Sequence, residues 1–274
     1  MKTIAQESRL IQRIVIIDKD PFSRNWISQL LMRDWRTQVV YEADSIKGFS
    51  LAIEGKELQR IDGVVVNLDN FQMDTNCLNN LFMMSSCSTK ILLVSTNEFS
   101  EFLDFINKEN FGGYLIKSEV EISIAWAMIK AIQGYFIISK TIEDSLFQSG
   151  IMLNKNILVF DGIEASEFLT ESENRNAHLA FVFSMSRGNM ADELTITPKS
   201  SWTLISTLYG ALGIKDLLLG DDWINFNLDQ DCIINDHVVS VRNKRSDTSN
   251  AATKETLAFH VYTKPKMHKF SSIK

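Results

Sequence analysis

The run RIVIID (13–18) decides the fold. Its four consecutive β-branched residues show no polar alternation, so the strand they build must be covered on both faces. Asp18 closes the run, and Pro21 follows where a first helical turn tolerates a residue without an N–H. From Pro21 a helical pattern reaches about Arg33. The alternation then repeats: TQVVYEA (37–43) and a helix around 44–57, DGVVVN (62–67), KILLVST (90–96) and GGYLI (112–116), each followed by a helical segment, the last from about Glu119 to Gln133. Strands alternating with helices predict an α/β fold with a five-stranded parallel sheet covered on both sides. Function in such sheets gathers at the carboxyl ends of the strands, which here carry Asp18, Asn67, Ser95 and Lys117.

Composition bounds the rest. The 274 residues are 45% hydrophobic and 23% charged, with 12 Gly and 3 Pro, an ordinary globular make-up whose length suggests two domains. The most apolar stretch, 122–138, is interrupted by Lys130, so no membrane span is expected. The start, MKTIAQESRL, has no apolar signal core, and a cytoplasmic protein is the expectation. Cys77, Cys87 and Cys232 are too few and too scattered for a disulfide scaffold or zinc knuckle. His178, His237, His260 and His268 lack ligand spacing, and no Ser-His-acid or phosphate-cradling signature occurs. The sequence therefore predicts a protein that is not an enzyme and uses no metal or cofactor.

The first half resembles the receiver domain of two-component response regulators over roughly Arg13 to Ser139. The resemblance lies in IVIIDKDPFSR after strand one, VVVNLDNFQMD after strand three, ILLVST at strand four and GGYLIK at strand five. It implies that two acidic residues after strand one and an aspartate ending strand three hold a divalent cation. That aspartate accepts a phosphoryl group, which a Ser/Thr and a Lys then contact. Here the acidic pair falls on Asp18 and Lys19, the phosphoacceptor on Asn67, and the phosphate contacts on Ser95 and Lys117, with Ser118 where the family has proline.

Magnesium requires anionic oxygen ligands, and an amide is a poor nucleophile. Lys19 puts an ammonium where the cation would sit. The expectation is a degenerate phosphoacceptor pocket that binds no magnesium, accepts no phosphoryl group, and replaces the metal by an ion pair of Lys19 and Lys117 with Asp18. Asp69, two residues beyond Asn67, faces the same way if the strand continues, and is the alternative phosphoacceptor. Met73-Asp74 keeps the family's spacing from Asn67 and favours the first reading. Without phosphorylation such a unit serves dimerisation, or senses a protein or small ligand. Its last helix carries Ile122, Ala125, Trp126, Met128, Ile129 and Ile132, and Trp126 and Met128 are not both expected to face the sheet, leaving one for a homodimer interface.

The domain reading is a tail at 1–12, the receiver-like unit at 13–139, a linker at 140–155 and an effector at 156–274. NILVFDGI (156–163), HLAFVFSMS (178–186) and ELTIT (193–197) read as antiparallel strands. Thr197 then caps a helix opened by Pro198. A short helix at 214–219, a third at 233–245 and a strand pair around 255–263 follow. This order resembles the winged-helix effector of the OmpR/PhoB group, through ITPKSSWTLI, LLGDDW (218–223) and INDHVVSVRNK (234–244). QGYFIIS (133–139) and LGIKDLL (212–218) instead resemble the compact helical effector of the NarL/LuxR group. Both are helix-turn-helix modules.

From Arg242 to Lys274 the chain has eight basic and two acidic residues, a surface suited to a polyanion. If the third helix enters the major groove of double-stranded DNA, Asn235, Val239, Ser240, Arg242 and Asn243 face the bases. Lys244, Arg245, Lys264, Lys266 and Lys269 then meet phosphates. The sequence thus predicts a phosphorylation-independent DNA-binding transcriptional regulator of the response-regulator type. The alternative is a signalling adaptor that binds proteins and not DNA.

Overall fold

The computed structural model describes residues 11–55, 58, 60–69, 75–86, 88–99, 101, 105–149, 155–215 and 250–270. The chain forms two compact units, Ile11–Gly162 with Pro265–Lys274, and Ile163–Lys264. The second is thus inserted in the chain of the first rather than appended after a linker at 140–155.

The first unit is built on an eight-stranded sheet. Its strands are β1 (Gln12–Ile17), β2 (Thr37–Ala43), β3 (Gly63–Asn67), β4 (Lys90–Ser95), β5 (Phe111–Ile116), β6 (Phe136–Ser139), β7 (Ile157–Ile163) and β8 (Pro265–Lys269), in the order β2-β1-β3-β4-β5-β6-β7-β8. Strands β1 to β7 pair in parallel. The backbone bonds from Phe270 N to Ile157 O and from Glu164 N to Lys264 O make β8 antiparallel to β7. The five expected strands occupy the order 2-1-3-4-5 of a doubly wound sheet. Ile14 to Ile17 are wholly buried in β1, each contributing roughly 1.5–3 kcal/mol of apolar burial.

The expected edge at β5 does not exist. FIIS forms β6, the expected linker contains α5 (Lys140–Ser149) with Ile142 and Leu146 buried, and ILVFDGI continues the sheet as β7. The physical reason is that both added strands carry the same apolar runs as the central ones. Gly113 permits the addition: its φ is +153°, and a Cβ there would lie 2.0 Å from the Ile137 carbonyl oxygen.

Helices α1 (Pro21–Arg33), α2 (Ile46–Glu54), α3 (Thr75–Met84) and α4 (Ile124–Ile132) cover the sheet with α5. Asp20 caps α1, its side chain accepting from Phe22 N–H, and Pro21 fills the first turn. In α4 both Trp126 and Met128 are buried, contrary to the expectation that one is exposed for pairing. The Arg36 guanidinium covers the Trp126 ring at 4.1 Å from its centroid. Met128 packs toward β3, where a Cβ on Gly63 would meet its sulfur at 2.4 Å.

The second unit is helical in its described residues. A short 3₁₀ turn (Glu164–Glu167) precedes α6 (Glu171–Ala177), a π turn (His178–Val182), α7 (Arg187–Glu193), α8 (Pro198–Ala211) and α9 (Asn250–Tyr262). HLAFVFSMS is therefore not a strand: its first five residues, His178–Val182, extend α6, with Ala180, Phe181 and Val182 buried. ELTIT ends α7 and turns into α8, and the expected strand pair at 255–263 is α9, whose Leu257, Ala258, Phe259, Val261 and Tyr262 are buried. Apolar runs this short carry no decisive period. The expected wing is absent from the described residues of this unit. No described helix is long and apolar enough to cross a membrane.

Candidate functional site

The carboxyl ends of β1, β3, β4 and β5 converge. Asp18 is fully buried after β1, and its Oδ1 accepts from Asp20 N–H at 2.9 Å. Asn67 ends β3, equally buried, and donates from Nδ2 to Asp18 Oδ2 at 2.8 Å and to Ser23 Oγ at 3.4 Å. Its Oδ1 accepts from Asp69 N–H at 3.2 Å, which fixes the direction of the amide.

Lys117 and Asp69 form the outer half of the site. Lys117 Nζ lies 2.8 Å from Asp69 Oδ2 and donates to Ser23 Oγ at 3.2 Å. Asp69 Oδ1 accepts from Thr96 N–H at 2.5 Å, and Oδ2 from the Thr96 hydroxyl at 2.7 Å. Burial alone would raise the Asp69 carboxyl, but the Lys117 ammonium and the two Thr96 donors outweigh it and hold the group below the ordinary carboxylate range.

Two sequence expectations are corrected by this geometry. Lys19 is exposed and Lys117 takes Asp69, so the expected pair of both lysines with Asp18 does not form. Successive residues at a strand end point to opposite sides, and Asp18 turns inward where Lys19 turns out. Ser95 does not line the anionic centre either. Its hydroxyl meets the Asn97 carbonyl at 2.5 Å and the Tyr114 hydroxyl at 2.7 Å. Tyr114 in turn accepts from Phe99 N–H at 2.7 Å, and burial pushes its phenol above the ordinary value. The neighbouring Thr96 instead donates to Asp69, and Ser23 joins Asn67 to Lys117. Both were missed; the adjacent hydroxyls of VST (94–96) are the signal that pointed to one of two residues.

These residues do not fit a divalent cation. Among the described residues Asp18 is the one carboxylate at the inner site and already accepts from an amide N–H, Asp20 Oδ1 caps α1, and Asp69 is neutralised by Lys117. No group of three or more His, Cys, Asp or Glu suited to a metal occurs among the described residues.

The second unit offers a different surface. α7 and α8 are joined by four residues, Leu194 to Thr197, in which Thr195 has φ +54°. Thr197 caps α8 by accepting from Ser200 N–H, and the Ser201 hydroxyl donates to the Arg187 carbonyl at 3.0 Å, tying the two helices together. The two helices are thus packed together across a short turn. The outer face of α8 shows Lys199, Trp202, Thr203, Ser206 and Thr207, and the Arg187 guanidinium stacks 3.4 Å from the Trp202 ring centroid.

The DNA-reading helix expected from the sequence lies elsewhere in the chain. Asn235, Val239, Ser240, Arg242, Asn243, Lys244 and Arg245 lie outside the described residues, as does most of the expected helix at 214–219. Lys264 is mostly buried and paired with Glu164 at 2.8 Å, while Lys266 and Lys269 belong to β8 of the sheet rather than to a wing.

No protein-family model and no curated protein matches the sequence. Among solved structures, the response regulator ChrA of a heme-sensing two-component system is 19% identical, with 74% of this chain and 92% of that chain covered and a TM-score of 0.40. RcsB from Salmonella enterica serovar Typhimurium, solved bound to a promoter, is 14% identical over 74% of this chain and 93% of that one, with a TM-score of 0.42. A LuxR-family two-component response regulator from Aurantimonas sp. SI85-9A1 is 21% identical over 45% of this chain and 86% of that one, with a TM-score of 0.38.

Proposed function

We propose that the protein is a non-enzymatic, DNA-binding regulator that acts without phosphorylation. The carrying observation is the α7–α8 helix-turn-helix, whose second helix presents a polar outer face. In such a module the second helix enters the major groove with its first turns against base edges. Thr203, Ser206 and Thr207 supply hydroxyls for base edges, while Arg187, Lys199 and the exposed Lys215 supply phosphate contacts. The helical character of this unit supports the compact NarL/LuxR type of effector over the winged one. The sheet unit then serves as a receiver-like platform for pairing or for a protein or ligand signal. Asn67 at the phosphoacceptor place and the lack of a cation-holding carboxylate set among the described residues support its independence from phosphoryl transfer.

The test is binding of the full chain to mixed duplex DNA over a range of salt concentrations. Phosphate contacts give affinity that falls steeply as salt rises. A folded protein that binds no duplex at low salt ends this reading. In parallel, acetyl phosphate with magnesium should leave the intact mass unchanged; covalent addition would restore phosphorylation.

One observation favours the adaptor as a second reading. Trp202 is 58% exposed and Phe183 54% exposed, and large aromatics of this kind anchor protein interfaces. Loss of DNA binding is then not expected in Trp202→Ala, whereas loss of a protein partner is.

A further inference from the structure

We propose that the cleft between α6 and α8 is a binding site for a primary alkylammonium, a small organic cation with an aliphatic tail. The cleft measures about 430 Å³, a size suited to a small molecule. Glu173 and Asn176 line it from α6, and Thr203 and Thr207 from α8, with Leu204 and Leu208 as its apolar part. Asn176 is 9% exposed, and among the described residues its side-chain amide has no hydrogen-bond partner. A buried amide normally has one, and the space this amide borders is the cleft.

The lining sets the chemistry of the ligand. Glu173 Oε2 accepts from the Thr170 N–H at 2.9 Å and the Thr170 hydroxyl at 2.8 Å, while Oε1 has no partner among the described residues. Those two bonds hold the carboxyl below its ordinary range, so it is anionic at neutral pH. Thr203 donates its hydroxyl hydrogen to the Lys199 carbonyl at 3.3 Å and Thr207 to the Thr203 carbonyl at 3.0 Å, which leaves both oxygens to accept. Ser200, also in the lining, is engaged with the Thr197 hydroxyl at 2.8 Å. Among the described residues no Lys, Arg or His lines the cleft. It therefore supplies acceptors and one negative charge, and an ammonium, with three donors and no acceptor, is their complement. Leu204 and Leu208 take the aliphatic tail. Thr203 and Thr207 also face base edges in the DNA-binding reading; the amine site is measured without DNA, so the two readings fail separately.

The test is calorimetric titration of the full-length native protein with hexylammonium chloride at constant ionic strength, and with hexanol as the neutral probe of the same length. Hexylammonium should bind saturably and at least about tenfold more tightly than hexanol, the least that a charge-assisted hydrogen bond supplies. Glu173→Gln keeps an oxygen for the Thr170 bonds, so the helix start survives, and it should lose at least about tenfold of the hexylammonium affinity. A folded native protein with no saturable binding overturns the proposal, as does hexanol bound as tightly as hexylammonium or a folded Glu173→Gln that binds as native does. Should Glu173→Gln fail to fold, the Asn176 side-chain amide is followed by NMR in native protein. Its resonances should shift along the hexylammonium titration, and resonances unmoved at saturation overturn the proposal.

Discussion

The Asn67 amide donates to the Asp18 carboxylate at 2.8 Å, and both side chains are buried. A charge fully removed from water is stable only while its oxygens are hydrogen-bonded. Asn67 supplies that bond from Nδ2 and turns its own oxygen to the Asp69 N–H, so it joins the two halves of the site while adding no charge.

Asn67→Asp should therefore destabilise the protein. It replaces a donor by a second buried carboxylate beside the first, a change expected to cost about 3 kcal/mol at neutral pH. Repulsion raises the folded pKa of one of the two groups, so the folded state holds an extra proton and the loss should shrink as pH falls toward 4. Millimolar magnesium should recover stability in the variant and not in the native protein, since two carboxylates suit a hard cation and one does not. Thermal unfolding with and without magnesium checks both points. A variant as stable as native at neutral pH would show that Asp18 does not depend on the amide.

Gly113 tests the addition of β6 to β5. An alanine there places its Cβ 2.0 Å from a backbone carbonyl that cannot swing aside, at a φ of +153°. Gly134, at φ +95°, has nothing within 4 Å of the same atom. Gly113→Ala should cost about 2–4 kcal/mol and Gly134→Ala about 1 kcal/mol, the second value being backbone strain alone. Equal urea midpoints for the two variants would place the whole effect in φ and none in the strand contact.

The parallel sheet was legible because central parallel strands must be apolar on both faces, and RIVIID, DGVVVN and KILLVST say so outright. FIIS and ILVF carry the same signal, but reading the unit as ending at Ser139 gave them to a terminus and a separate sheet. The inserted unit was less legible. HLAFVFSMS is apolar enough for a strand, and only its approach arbitrates: Thr170 and Glu173 form a reciprocal capping box, the pattern of a helix start. At the site, chemistry was easier to read than pairing. Asp18, Asn67 and Lys117 were found as residues, yet which carboxylate Lys117 takes depends on one step in a period of two. Whether Ser95 or Thr96 meets Asp69 turns on that same step.

The proposed docking of α8 in the major groove predicts distinct effects for two of its residues. Lys199→Ala should weaken duplex binding alike on all sequences and lower the slope of log affinity against log salt by about one. Thr203→Ala should leave that slope alone and cost about 1 kcal/mol on the preferred sequence only. Fluorescence anisotropy at three salt concentrations separates them. If both variants bind as the native chain does, α8 is not in the groove.

Lys155 gives the pH dependence of the sheet unit a sign. Its ammonium donates to the carbonyls of Lys108 at 3.0 Å and Phe111 at 3.4 Å, and lies 4.7 Å from the Phe136 ring centroid. Burial, with Lys90 adding repulsion, lowers the group from 10.5 to about 8. Between those values the folded protein holds fewer protons here than the unfolded chain does, so the stability contributed by this residue rises with pH across the window. Lys155→Met keeps the apolar stem and removes the titration. Urea midpoints at pH 7, 8.5 and 10 should show native protein gaining on the variant from the first to the last, and it is the difference that matters, since other lysines and tyrosines titrate in both. Curves that stay parallel would mean that the amine keeps its proton in the fold as readily as in water, and that the two carbonyls and the ring compensate fully for its burial.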